Sequence, residues 1–116
     1  MKKKFSFAAL LSIIVSRHLT EELAKHYDLI GFLTGTYTVG PSPDGLMLYR
    51  RAQTVLFEQF PQFETGEMQF AQGELVLMLE TEEGQRYPKE LMLGWLSKQA
   101  IRMNMDMNAV FEVEKP

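Results

Sequence analysis

MKKKFSFAALLSIIVSRHLTEELAKHYDLIGFLTG, residues 1–35, reads as two amphipathic helices in immediate succession. Ser6 is a natural N-cap, because its hydroxyl can accept from a free amide of the first turn. From there Phe7, Leu10, Leu11, Ile14 and Val15 recur at helical spacing, with Ser12, Ser16 and Arg17 off that stripe. The spacing predicts a helix to about Leu19. Thr20 then caps a second helix, since Glu21 and Glu22 follow in the first turn, where carboxylates suit the positive helix end. Leu23, Tyr27, Ile30 and Leu33 supply its buried face, and Gly35 is a natural stop. So tight a join makes the pair pack on each other or kink sharply.

The same stretch imitates a secretory signal. Residues 2–4 are all lysine, and residues 5–15 are largely apolar. However, Ser6 and Ser12 interrupt the run, and no small-x-small cleavage site follows it. It is also too short to span a bilayer. The expectation is a core-facing helix with no membrane association.

Working outward, residues 36–39 (TYTV) are β-prone, and residues 40–45 (GPSPDG) form the strongest turn signal in the chain. A third helix is predicted from about residue 44 to residue 60. Leu46, Tyr49, Ala52, Leu56 and Phe60 lie inward, with Arg50, Arg51 and Glu58 outside. Pro61 ends it, because the residue before a proline is pushed out of helical space. Residues 67–82 fit either a helix aligning Met68, Ala71, Leu75, Met78 and Leu79 or a hairpin turning at Gln72 and Gly73. The abundance of Leu, Met and Glu favours the helix, and Gly84 ends the element in both cases. Pro88 suits the first turn of a further helix reaching about Met103 and carrying Leu91, Trp95, Leu96, Gln99 and Ile101.

After Met103 the period changes. Met103, Met105, Met107, Ala109, Phe111 and Val113 alternate with Asn104, Asp106, Asn108, Val110, Glu112 and Glu114. That pattern predicts a strand with one buried face, at least over residues 110–114. A lone strand is unstable, so it needs a partner, for which residues 36–39 are the candidate. The expected fold is mainly α (α+β): one domain over residues 1–116, about five helices, and a small C-terminal β-ribbon.

Composition restricts the chemistry. With 116 residues, 46% apolar and 23% charged, the chain can bury a core without staples. It has no cysteine, which excludes disulfides, a thiolate nucleophile and Cys-based metal sites. A net charge of -3 gives no global attraction to nucleic acid. His18 and His26 are eight apart on separate predicted helices, without HExxH spacing, and read as solvent-facing or capping residues. No serine sits in a Gly-x-Ser-x-Gly elbow, and no glycine-rich loop carries a lysine for phosphate. Glu80, Glu82 and Glu83 look like a solvated helix end rather than an acid–base pair. Met103-x-Met105-x-Met107 could hold Cu(I), but methionines lining one face of the last element explain it better. Residues 2–4 with Arg50 and Arg51 are the basic concentrations. A helix-turn-helix over the first two helices would place Glu21, Glu22 and Asp28 against DNA phosphates, which is the wrong charge. No catalytic residue, metal or cofactor is assigned.

Phe5-Ser6 leading into Leu11-Ser12-Ile13, then Arg17, Leu19, Tyr27-Asp28-Leu29-Ile30 and Leu33-Thr34-Gly35, resembles a family of small uncharacterised tailed-phage and prophage proteins. The likeness continues in Phe60-Pro61-Gln62-Phe63, in Trp95-Leu96 with Gln99, and in Phe111-Glu112-Val113. These are caps, core positions and stops, so no site residue follows from them. The resemblance implies a phage accessory gene product acting in the bacterial cytoplasm. Together with that pattern, the small size, the mild acidity and the missing chemistry lead to the expectation that it binds a host or phage protein, as host-takeover and anti-defence inhibitors do. A small DNA-associated regulator is the alternative. Because Arg, Tyr and Met are enriched at interfaces, Tyr49, Arg50, Arg51 and Met105 are the candidate partner-binding residues.

Overall fold

The computed structural model describes residues 1–17, 19, 23–36 and 43–116. His18, the Thr20 cap with Glu21 and Glu22, residues 37–39 of the proposed partner strand, and turn residues 40–42 lie outside the described residues. The elements run β1 (Lys2–Ser6), α1 (Phe7–Ile14), α2 (Leu23–Thr34), α3 (Pro43–Gln59), a 3-10 turn (Pro61–Phe63), α4 (Gly66–Glu80), α5 (Glu82–Arg86), α6 (Pro88–Arg102) and β2 (Val110–Glu114). The mainly helical fold with a two-stranded ribbon is therefore as expected, with six α-helices among the described residues.

The strand partner differs from the expectation. β2 pairs antiparallel with β1, from Lys2 opposite Glu114 to Ser6 opposite Val110. The lysine run that imitates an export signal is thus the first strand of the ribbon. Phe5, Phe111 and Val113 turn to the core, while Lys2 and Lys4 face Glu114 and Glu112 on the outside. Opposite charges across strands stabilise that outer face. Gln59 at the end of α3 closes the free edge of β2. Its side-chain amide donates to Glu114 O (2.7 Å) and its carbonyl accepts from Glu114 N (2.9 Å), as a third strand would.

Ser6 caps α1 as predicted, accepting from Ala9 N at 3.2 Å. α1 is not amphipathic, however: seven of its eight residues are buried, including Ser12. A helix apolar all round belongs in the middle of a core. Ser12 is satisfied there by donating to Ala8 O and accepting from Leu19 N. The helix also stops at Ile14 rather than Leu19. Ser16 takes a left-handed conformation (φ 54°), with Ser16 N bonded to Ile13 O and Arg17 N to Ser12 O. This is a Schellman ending, here without the usual glycine. Gln53 of α3 also donates to Ile13 O and Ile14 O, adding a side-chain donor at the helix end.

α2 ends at Gly35 (φ 77°) and α3 stops before Pro61, both as read from the sequence. Phe7, Phe60, Phe63 and Phe111 form an aromatic cluster with ring centroids 5.5–6.4 Å apart, tying α1 and the end of α3 to the ribbon.

Residues 66–80 are a helix, not a hairpin, capped by Thr65. Gly84 does not end it. Thr81 closes α4 and its hydroxyl caps α5 by accepting from Gly84 N at 3.0 Å. Gly84 is instead buried where α5 folds back on the end of α4. α6 begins at Pro88 and ends in a second Schellman turn, with Asn104 left-handed and Met105 N bonded to Ala100 O. Burial alternates through residues 103–114 as the sequence pattern requires, although only residues 110–114 form the strand.

Gln99 breaks the pattern of satisfied polar groups. Its side chain is fully buried, and neither its Oε1 nor its Nε2 has a hydrogen-bond partner among the described residues. A buried amide without partners destabilises by its desolvation penalty, about 1–3 kcal/mol. Gln99→Met keeps the shape and removes the polar atoms, so it is expected to raise stability by about 1–2 kcal/mol in urea unfolding. A loss of stability would show that the amide is bonded after all.

Candidate interaction surface

The four residues singled out from the sequence lie in different settings. Tyr49 is half-buried between α2 and α3. Its hydroxyl shares a hydrogen bond with Nε2 of His26, and the two rings lie 5.4 Å apart. His26 is 3% exposed, so the expectation of a solvent-facing or capping histidine is corrected. Tyr27 packs edge-on against His26. Burial, with the neighbouring Tyr27 phenol, pushes the Tyr49 phenol up from 10.0 to about 12. The folded state holds this proton more tightly, so its stabilising contribution is complete below pH 10 and disappears as pH rises to about 12. Spectrophotometric titration of the tyrosines should show one late transition, which Tyr49→Phe removes.

Arg50 and Arg51 are exposed on α3. Arg51 borders an open depression of about 460 Å³ floored by Phe32, Leu33 and Val55, with Lys115 also at its edge. The Thr34 and Thr54 hydroxyls there are turned onto backbone carbonyls of their own helices. Among the described residues that line it, none is His, Asp or Glu. Met105 is half-buried against the core, at the position that follows a left-handed helix stop and commonly supplies its apolar contact. Met103 and Met107 pack likewise, in line with a structural role for the methionines.

The remaining charge clusters are structural. Lys3 pairs with Asp28 at 2.5 Å, and Lys2 and Lys4 face glutamates across the ribbon. Glu82 and Glu83 occupy the first turn of α5, where Arg86 pairs with Glu82 at 2.8 Å. Among the described residues no three His, Asp or Glu side chains gather as a metal site would require. No helix among them is long and apolar enough to cross a membrane.

What the sequence reading missed lies on α4 and α6. These helices meet through Trp95, buried, whose indole N–H donates to Ala71 O at 2.8 Å, and through the Lys98–Glu74 ion pair at 3.4 Å. The inward residues of α4 are Met68, Ala71 and Leu75. Phe70 (68% exposed) and Leu77 (66%) point the other way, and so does Ile101 of α6 (76%). At 3.6 residues per turn, residues 70, 74 and 77 share one side of α4, and residues 94, 98 and 101 one side of α6. The Glu74–Lys98 pair therefore lies between the side of α4 that carries Phe70 and Leu77 and the side of α6 that carries Ile101. One signal was available: α4 carries apolar residues all round, more than one buried stripe requires. Compared with protein-family models, with curated proteins and with solved structures, the chain has no significant match.

Proposed function

We propose that this chain is a phage-encoded accessory protein that acts by binding a protein of the bacterial host or of the phage. Host-takeover and anti-defence inhibitors belong to this class. The phage origin rests on the resemblance carried by residues within 5–35, 60–63, 95–99 and 111–113. The mode of action rests on the exposed apolar face of Phe70, Leu77 and Ile101. Isolated apolar side chains are ordinary on a surface, but adjoining large ones mark interaction sites. Residues 2–4 lend direct DNA binding no support, because Lys2 and Lys4 face glutamates and Lys3 pairs with Asp28.

The test compares the full chain with Phe70→Glu/Ile101→Glu in affinity capture from lysate of the infected host. Both positions are exposed, so the variant should unfold at the same temperature as the parent. The expected result is a partner retained by the parent and lost by the variant. Equal retention by both, or none by either, overturns the proposal.

A further inference from the structure

Resting on that reading, we infer that the occupant of the α4–α6 face is a basic amphipathic helix. Three observations converge. The first is shape. Phe70 and Leu77 are seven residues apart, a rise of about 10 Å, which matches apolar anchors at i, i+3 or i+4, and i+7 on a partner helix. Between them lies Gly73, and Gly94 sits on the adjoining side of α6. A Cβ built at either glycine meets nothing within 4 Å, so neither is required by internal packing. A helical glycine is about 1 kcal/mol less favourable than alanine. Here Gly73 leaves the α4 surface low beside Phe70 and Leu77, on the side turned away from the Glu74–Lys98 pair, and Gly94 does the same beside Ile101 on α6.

The second observation is charge. Residues 64–102 carry seven carboxylates and four cations, while the rest of the chain carries eight of each. The whole net charge of -3 therefore lies on the segment that builds this face. Among its cations, Arg86 is matched by Glu82 and Lys98 by Glu74. Glu67, Glu80 and Glu90 are exposed and have no ion-pair partner among the described residues. Glu67 lies one turn before Phe70, Glu80 one turn after Leu77, and Glu90 one turn before Gly94. Glu67 and Glu90 also serve the first turns of their helices, but their outward field is negative all the same.

The third observation excludes the simplest competitor. A second copy of the chain docked through the same face would set these carboxylates against their own images, and like charges brought together oppose association. A helix with Lys or Arg flanking an apolar stripe meets the ridge with its stripe and the rim with its charges.

The test is selection of a displayed random-peptide library against the full chain. Enriched peptides should carry Leu, Phe or Ile at i, i+3 or i+4, and i+7 with net positive charge. Their affinity should weaken about tenfold from low to high salt. Phe70→Glu/Ile101→Glu should lower it at least about a hundredfold. Glu67→Gln/Glu80→Gln/Glu90→Gln should lower it about tenfold while leaving the apolar consensus intact. Peptides with the apolar spacing but neutral or acidic flanks, unaffected by the triple substitution, would overturn the charge inference and leave the binding face standing. Concentration-dependent dimerisation abolished by Phe70→Glu would overturn it in favour of a second copy. No enrichment, or ligands indifferent to both Phe70→Glu and Ile101→Glu, would remove the binding face itself.

Discussion

Gly84→Ala is expected to destabilise the protein by about 3 kcal/mol or more, through an added methyl that has nowhere to go. A Cβ at this position lies 2.0 Å from Met78 O and 2.7 Å from the Cα of Leu79. Both are backbone atoms of the last turn of α4, so no side-chain rotation relieves the contact. Relief requires α5 to lift away from α4, which breaks the Thr81 cap and disturbs the entry to α6. Thermal unfolding followed by circular dichroism should show the midpoint lowered by roughly 10 °C or more. Gly73→Ala is the control within the same helix pair. Its methyl meets open space, so it should raise stability by about 0.5–1 kcal/mol. If both substitutions shift stability alike, the tight packing of α5 on α4 is wrong.

The contrast between these two glycines shows what the sequence could and could not convey. From sequence Gly84 reads as a helix stop, and a stop does lie nearby, but at Thr81. What forbids a side chain at Gly84 is the turn of backbone it rests on, which no local pattern reveals. Features decided within a few residues were legible: the Ser6 cap, the Gly35 stop, Pro61 after α3, Pro88 opening α6, and the alternating burial of residues 103–114. The end of α1 was not, because Ser16 adopts a left-handed conformation without glycine or proline to announce it. The partner of β2 was hidden for another reason. Lys2 pairs with Glu114 from the far end of the chain, and local periodicity carries no information about such distant pairing. Three lysines before an apolar run also suit two incompatible readings, an export signal and an exposed strand face. As for the candidate surface, Tyr49, Arg50, Arg51 and Met105 were chosen by residue type alone. Type does not distinguish Tyr49, held against His26, from a tyrosine free to meet a partner. The bare face of α4 follows from which side of an all-round apolar helix finds a neighbour, and that is settled by tertiary packing.

Trp95→Ala is expected to have the other large effect, about 3–5 kcal/mol, and to separate scaffold from surface. Trp95 is the chain's single tryptophan and is 1% exposed. It fills the junction of α4 with α6, and its indole N–H fixes the pair by donating to Ala71 O. Truncation leaves a large cavity at that junction, and the helices that carry Phe70 and Ile101 lose their mutual register. Partner binding should therefore fall together with stability. In Phe70→Glu/Ile101→Glu, by contrast, the proposed binding should fall while stability is kept. Trp95→Phe divides the effect further. It retains an aromatic ring in the core but removes the donor, so the loss should be smaller, about 1–2 kcal/mol. The Ala71 carbonyl still lies within α4, where the helix ladder serves it. The indole also reports on the junction in the unmodified protein, because a buried tryptophan emits at shorter wavelength than a hydrated one. Urea unfolding followed by fluorescence should coincide with that followed by circular dichroism if α4 and α6 unfold with the rest. A red shift preceding the helical transition would show that the α4–α6 junction opens first. The binding face would then be borne by the less stable part of the fold, as is common for surfaces that adapt to a partner.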